Sequence, residues 1–274
     1  MNLSVLISEI HKKQSFLCVG LDVDLDKVPL TILKQPKPLV AFSKAIIDAT
    51  IPYAVAYKPN IAFFETYGSE GLDALEEIMS YLNEKYPEVF TIADAKRGDI
   101  GNTSTRYAKA YFETLGFDSI TVAPYMGKDS VEPFLAFEDK HTILLALTSN
   151  QGADDFQRLH VNEKPIYQVV LETSKKWDGS ERLMYVVGAT QANSLKEIRR
   201  IIPDSFLLVP GVGAQGGSLE DVAKYGLNKD IGLLVNSSRG IIYASEGADF
   251  AQASAQAAKT LQASMAKILT SYKA

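Results

Sequence analysis

The chain has 274 residues, of which 46% are hydrophobic and 22% charged, a balance typical of globular rather than disordered proteins. Its formal net charge of −5 argues against a nucleic-acid binder, which needs a basic face. The single cysteine, Cys18, excludes an internal disulfide and a cysteine-cluster metal site. No apolar run reaches the ~18 residues of a membrane helix, and residues 1–14 lack the pattern of a secretory signal. We therefore expect a cytoplasmic protein with a buried, reduced Cys18 and no membrane partner.

Short apolar and β-branched runs recur along the whole chain and predict eight strands. Segments with helical periodicity lie between most of these strands, and the clearest are Gly71–Lys85 and Ser194–Ile202. The last segment, Ala248–Tyr272, also has a helical pattern; its apolar stripe is too short for a coiled coil, so we expect it to pack on the sheet. The predicted strands are Phe16–Leu21, Tyr53–Tyr57, Phe90–Ala93, Ser119–Ala123, Thr142–Leu147, Met184–Val187, Phe206–Val209 and Ile231–Val235.

This alternation of strand and helix favours a (β/α)8 barrel. The chain provides about 34 residues for each strand and helix, close to the ~30 residues that one such unit needs. The strand runs contain few polar residues, which indicates burial on both faces, as in parallel sheets. Because no Ser/Gly-rich or charged linker divides the chain, we expect one TIM-barrel domain over residues 1–274 with an additional N-terminal helix. The alternative is an open doubly wound sheet. The longest region predicted to be irregular, Asn150–Lys164, follows the fifth strand.

Charged and polar residues concentrate at the predicted carboxyl ends of the strands, where barrels of this kind place catalytic groups. In the segment Thr91–Thr103, Asp94 and Lys96 stand two residues apart, so both leave an extended strand on one face. Taken alone, this pair is more simply an ion pair that ties a strand to its loop. Lys58 at the end of the second strand favours a site instead: two lysines with Asp94 and Asp99 are costly to desolvate for structure alone, and they suit a charged substrate.

A glycine-rich loop, Gly211–Gly217, follows the seventh predicted strand and contains a formal G-x-G-x-x-G pattern that includes Gly213. A dinucleotide-binding fold would place that pattern after its first strand. We interpret the loop instead as a phosphate site in which backbone N–H groups face the anion. Arg239, after the eighth strand, would supply a bidentate charged contact. The alternative is a loop that binds no ligand.

The pattern Asp94-x-Lys96-x-x-Asp99-Ile100-x-x-Thr103 resembles the signature of the orotidine 5′-phosphate decarboxylase family. The sequence Asp-Ala-Lys-Arg-Gly-Asp-Ile-Gly that begins at Asp94 is similar to that of the bacterial subgroup with longer chains. The resemblance spans the barrel, and its further matches are Asp22, Lys58, the loop Gly211–Gly217 with Gln215, and Arg239. It implies a homodimeric (β/α)8 enzyme without metal or cofactor that converts orotidine 5′-monophosphate to UMP and CO2 in pyrimidine biosynthesis.

The resemblance also implies a role for each matching residue. Lys58, Asp94 and Lys96 would form the charged array of one subunit, with Lys96 as the proton donor to C6 of the pyrimidine. Asp99 would complete the array, and Asp99 and Thr103 would reach into the neighbouring site across the dimer interface. The remaining substrate contacts would be Asp22 to the ribose, Ile100, Ser149 and Gln215 to the pyrimidine, and Gly213, Gln215 and Arg239 to the phosphate. No motif covers Asn150–Lys164, so no role is assigned to it.

The residues leave three other functions open. A metal-dependent sugar-phosphate decarboxylase or aldolase of the same superfamily would need an acidic metal ligand at the end of the second strand, where this chain has Lys58, which repels Mg²⁺. A Schiff-base aldolase would use Lys58 or Lys96 as its nucleophile. A non-catalytic sensor would bind a phosphate ester without turnover, but a full charge array is hard to rationalise in such a protein.

Overall fold

The computed structural model describes residues 1–212 and 217–272, and its main feature is a closed barrel of eight parallel strands. The strands in chain order are β1 (Leu17–Leu21), β2 (Ala56–Pro59), β3 (Phe90–Arg97), β4 (Ser119–Val122), β5 (His141–Leu147), β6 (His160–Val161), β7 (Lys164–Pro165), β8 (Leu183–Val187), β9 (Leu207–Pro210) and β10 (Leu233–Ser237). Neighbours around the barrel follow the order β1-β2-β3-β4-β5-β8-β9-β10, while β6 and β7 form a separate antiparallel pair. The predicted (β/α)8 fold is confirmed, and the open sheet is excluded.

Helices connect the strands, as the periodicity predicts. Their bounds are α1 (Leu3–Lys13), α2 (Leu30–Leu33), α3 (Pro38–Thr50), α4 (Ile61–Glu65), α5 (Gly68–Lys85), α6 (Gly101–Lys109), α7 (Lys128–Leu135), α8 (Ala153–Phe156), α9 (Ile166–Ser174), α10 (Ala192–Ile201), α11 (Leu219–Gly226), α12 (Arg239–Ile242) and α13 (Phe250–Tyr272). Over the described ranges, no helix has the length and apolar character that a membrane crossing requires.

Four observed strands run further than their predicted ends, and three of them gain polar residues there. The predictions stop where the apolar run stops, but β2 continues through Lys58, β3 through Asp94 and Lys96, and β10 through Asn236. The ladder is made by backbone N–H and C=O groups, so a polar side chain does not end it. The strands therefore carry polar residues into the carboxyl end of the barrel.

The chain folds into two compact units. The first contains Met1–Ala95, Thr114–Phe117 and the chain from Asn236 onward. In its core, the ring of Phe42 stacks on Tyr243 and Phe250, with centroid distances of 5.9 and 5.3 Å. Helix α13 buries Met265, and the Gln262 side chain donates to the Lys13 carbonyl at 2.9 Å. The C-terminal helix thus packs within this unit.

The second unit contains Lys96–Glu113 and Asp118–Val235. The Arg199 side chain on α10 joins three of its loops through backbone carbonyls. Nε donates to Gly226 at 2.7 Å, Nη1 to Ser205 at 2.6 Å and Nη2 to Gly232 at 2.8 Å. One guanidinium therefore satisfies carbonyl groups that lie 27, 6 and 33 residues away along the chain.

The segment Asn150–Lys164, predicted to be irregular, contains helix α8 and most of the β6–β7 hairpin. Gln157 closes this segment onto the end of β5. Its Oε1 accepts from the Thr148 N–H at 2.7 Å, and its Nε2 donates to Thr148 Oγ1 at 2.9 Å. The Gln157 carbonyl accepts from the N–H of Tyr167 at 2.9 Å. The expectation of an irregular region is therefore wrong for α8 and the hairpin.

Candidate active site

A buried ion pair lies at the carboxyl ends of β2 and β3. Lys58 Nζ donates to Asp94 Oδ2 at 2.8 Å, and the two side chains are 5% and 12% exposed. Next to the pair, Asn60 forms an isolated parallel bridge with Asp94. Burial by itself lowers the pKa of Lys58, but the nearby carboxylates of Asp94 and Asp22 outweigh it and hold that pKa above its ordinary value. Lys58 is therefore a buried ammonium group that stays charged.

Asp22 follows β1 and carries an unsatisfied acceptor. Its Oδ1 is buried and has no hydrogen-bond partner among the described residues. The backbone around it is fixed by Tyr243, whose hydroxyl donates to the Asp22 carbonyl at 2.9 Å and accepts from the Asp24 N–H at 2.7 Å. Burial raises the pKa of Tyr243 to about 12, which keeps this hydroxyl protonated. A buried carboxylate oxygen without a donor is costly, so it suits a ligand that brings a hydroxyl group.

Lys96 has a backbone conformation that is rare for a residue with a side chain. Its φ is 48°, in the left-handed region, and its N–H donates to Thr121 Oγ1 at 2.9 Å. The side chain of Lys96 is exposed. Because this φ departs from the extended region, the two-residue alternation of an extended strand does not by itself determine the direction of the Lys96 side chain. Strained residues of this kind cluster at functional sites.

The segment after β3 presents three predicted site residues. Asp99 Oδ1 accepts from the N–H of Ile100 at 2.7 Å, which fixes the turn into α6. Ile100 is 55% exposed, and Thr103 on the first turns of α6 is also exposed. The roles of Asp99 and Thr103 across a subunit interface and of Ile100 at the pyrimidine stay predictions.

The remaining predicted site residues lie at other strand ends. Ser149 follows β5 and lies against Gly188, where an added Cβ would stand 2.6 Å from Ser149 Cβ. Arg239 begins α12 and is exposed. Gly213 and Gln215 lie outside the described residues. Within the described residues, no group of three or more His, Cys, Asp or Glu side chains is arranged to hold a metal ion.

Two polar residues inside apolar strands are missed by the sequence reasoning. Thr121 on β4 is 1% exposed and holds the backbone of Lys96. Asn236 on β10 is 8% exposed, and its Oδ1 has no partner within the described part of the chain. A signal was present in both cases, since Thr121 lies inside the predicted run Ser119–Ala123 and Asn236 directly follows the predicted run Ile231–Val235.

The chain is similar to proteins of one family over nearly its whole length. Residues 15–254 match the model of the "Orotidine 5'-phosphate decarboxylase / HUMPS family". An orotidine 5′-phosphate decarboxylase of Christiangramia forsetii is 65% identical over 264 residues, which are 96% of this chain and 97% of the relative. One of Flavobacterium johnsoniae is 62% identical over 271 residues, 99% of each chain. The structure of Leishmania donovani OMP decarboxylase matches with a TM-score of 0.83 at 37% identity, covering 98% of this chain and 99% of the other. The chain therefore belongs to the orotidine 5′-phosphate decarboxylase family and is an enzyme of pyrimidine biosynthesis.

Proposed function

We propose that this enzyme converts orotidine 5′-monophosphate to UMP and CO2 without a metal ion or cofactor. The observation that carries the proposal is the buried Lys58–Asp94 ion pair at the ends of β2 and β3, with Lys96 two residues further along the same strand. Perturbed charged groups held together at strand ends of a barrel are typical of an active site.

The proposed reaction breaks the bond between C6 of the pyrimidine and its carboxylate carbon. The electron pair of that bond stays on C6 as CO2 leaves, and the ring delocalises it poorly. The Lys96 ammonium stabilises this negative charge and then donates its proton to C6, and the resulting neutral amine recovers a proton from solvent. Such a cation is favourable because it stabilises the developing charge more than the neutral product.

One cation does not provide all of the required stabilisation. Two unit charges ~4 Å apart interact by about 4 kcal/mol at an effective dielectric constant near 20, which corresponds to about three factors of ten in rate. We assign the remainder to substrate contacts that position the ring. The Asp94 carboxylate also repels the substrate carboxylate in the ground state.

The other proposed roles follow the chemistry of each side chain. Lys58 and Asp99 orient Lys96, while Asp22 accepts from a ribose hydroxyl. The proposed pyrimidine contacts are Ile100, Ser149 and Gln215, and the proposed phosphate contacts are Gly213, Gln215 and Arg239.

We also propose a homodimer in which Asp99 and Thr103 of one subunit complete the site of the other. The exposed apolar side chains of the second unit support an interface, since Ile100, Tyr125 and Met126 are 55%, 90% and 47% exposed. A subunit-mixing experiment tests the shared site. K96A and D99N should each be nearly inactive, and their mixture should regain one working site per heterodimer; no recovery after verified subunit exchange would contradict a shared site.

The direct test of the reaction is an absorbance assay with orotidine 5′-monophosphate, without added metal and then with EDTA. We expect UMP formation in both conditions and almost none from K96A. Loss of activity in EDTA would favour a metal-dependent reaction, and borohydride trapping of a substrate adduct would favour a Schiff base. Binding of UMP without any turnover would favour a sensor.

A further inference from the structure

A second unsatisfied acceptor accompanies Asp22 in the first unit. Asn236 lies near the carboxyl end of β10 and is 8% exposed, and its Oδ1 is buried without a hydrogen-bond partner among the described residues. The neighbouring Ser238 does not supply the donor, because its hydroxyl donates to the Gly20 carbonyl at 3.1 Å. Buried amide oxygens are almost always paired, so this one calls for a partner beyond the described residues.

Gly20 places this amide beside the charged pair. On β1, Gly20 is in register with Lys58 of β2, and β10 adjoins β1 on its other side. A Cβ added at Gly20 would stand 3.1 Å from Asn236 Oδ1. In-register residues of a parallel pair point to the same face of the sheet, so the Lys58 and Asn236 side chains flank the space that Gly20 leaves empty. Any larger residue at position 20 would also meet Ser238 Cβ at 2.8 Å.

We propose that Asn236 Oδ1 accepts a hydrogen bond from a sugar hydroxyl of the nucleotide, as a second acceptor in addition to Asp22 Oδ1. This proposal rests on the proposed function and adds a specificity-determining residue to it. An acceptor needs a donor, and the substrate offers only its two ribose hydroxyls and the pyrimidine N3–H, since its phosphate and carboxylate groups only accept.

The position of Asn236 along the chain selects the sugar over the base. Asn236 precedes Arg239, the proposed phosphate contact, by three residues on the same strand and the turn that follows it. In a nucleotide the ribose is bonded directly to the phosphate, whereas the pyrimidine lies beyond the ribose. Asp22, in the same unit, lies close enough to Lys58 to raise its pKa. Two acceptors near one ammonium group therefore suit a polyhydroxyl group better than a single N–H.

The test is a binding cycle with UMP, 2′-deoxyUMP and 3′-deoxyUMP, measured by calorimetry on the wild-type dimer, N236A and N236S. The wild type should bind UMP more tightly than at least one deoxy ligand. N236A should bind UMP about tenfold more weakly, with little further loss when that hydroxyl is missing. N236S should behave like N236A, because its shorter side chain does not reach. N83A, an exposed asparagine on α5 outside the site, should retain wild-type values.

Two results would overturn the proposal. One is an N236A variant that still discriminates the deoxy ligands as the wild type does, which would mean that water satisfies the amide. The other is equal weakening for all three ligands, which would indicate a purely structural role. Turnover of orotidine 5′-monophosphate by the wild type is measured separately, so failure of the proposed function is distinguishable from failure of this proposal. The binding cycle decides the role of Asn236 in either case.

Discussion

The backbone N–H of Lys96 donates to the hydroxyl of Thr121 at 2.9 Å, and this contact holds a lysine at a φ of 48°. Residues with a Cβ avoid this conformation because the Cβ crowds the following carbonyl group. Strand β4 therefore supports the strained backbone at Lys96 through the Thr121 hydroxyl.

The strain at Lys96 predicts an unusual order of stabilities. The free energy of unfolding of K96G should be about 1 kcal/mol higher than that of K96A, because glycine adopts a positive φ without strain. Neither variant should decarboxylate substrate. The matched control is Lys259, exposed in the middle of α13. There the glycine variant should be less stable than the alanine variant by about 1 kcal/mol. Urea denaturation of the four proteins measures both differences, and the same order at both positions would contradict the strain.

The Lys58–Asp94 pair predicts how stability depends on pH. In the wild type the pKa of Lys58 lies above its ordinary value of 10.5, so its contribution is fully present below pH 10.5 and is lost as pH rises through the raised value. D94N removes the nearest carboxylate, and burial then lowers the pKa of Lys58. The variant should lose about 3–5 kcal/mol near pH 7, because a buried charge has lost its partner.

That loss should shrink as the pH approaches 10.5, since the lowered pKa lets Lys58 become neutral in the folded variant. Denaturation of wild type and D94N at pH 7 and 9.5 measures the change. The double variant K58M/D94N is the control, which should be more stable than D94N near neutral pH because it buries no unpaired charge. An equal D94N penalty at both pH values would contradict a buried, charged Lys58.

The hydrogen bonds between Gln157 and Thr148 lead us to predict that the segment after β5 contributes to the site. Q157A removes the side-chain hydrogen bonds to Thr148, which precedes Ser149. We expect a loss of about 1–2 kcal/mol in unfolding free energy and weaker UMP binding. Q151A, an exposed change in the same segment, serves as the control. Wild-type UMP affinity in Q157A would show that this contact does not act on the site.

The contacts of Arg199 indicate that even a substitution that keeps its charge should lower the free energy of unfolding. Lysine does not reach three carbonyl groups at once, so R199K should lower the unfolding free energy by about 2–4 kcal/mol. R200K, at an adjacent exposed arginine that pairs with Glu197, should change it by less than about 0.5 kcal/mol. Thermal unfolding compares the two variants, and similar small shifts would mean that the loops do not depend on this guanidinium.

The sequence predicts the barrel well because buried parallel strands are marked by their apolar composition. All eight predicted runs overlap barrel strands, and α13 lies within the predicted C-terminal helix. The hairpin between β6 and β7 is missed because its two turn residues both have a positive φ, 48° at Asn162 and 68° at Glu163. Asparagine is common in such turns, but glutamate gives no signal for one.

The sequence indicates candidate site residues by the chemistry of their side chains, but it does not show which groups surround them. The spacing of Asp94 and Lys96 suggests a shared face, but it contains no information about the left-handed φ of Lys96 or its bond to Thr121. Nor does it reveal that Asn236 Oδ1 has no hydrogen-bond partner among the described residues, or that the nearby Ser238 hydroxyl donates to the carbonyl of Gly20, 218 positions from it along the chain. The single-domain organisation stays a prediction, and a single calorimetric unfolding transition would support it.

Cys18 on β1 is fully buried, and burial raises the pKa of its thiol to about 12. Thiolate, the form that reacts with disulfide reagents, is therefore scarce in the native protein at neutral pH. Since this is the only sulfhydryl group in the chain, labelling by such a reagent counts the molecules that have opened their barrel. The rate at which Cys18 is labelled therefore reports the unfolding of the enzyme without an engineered probe.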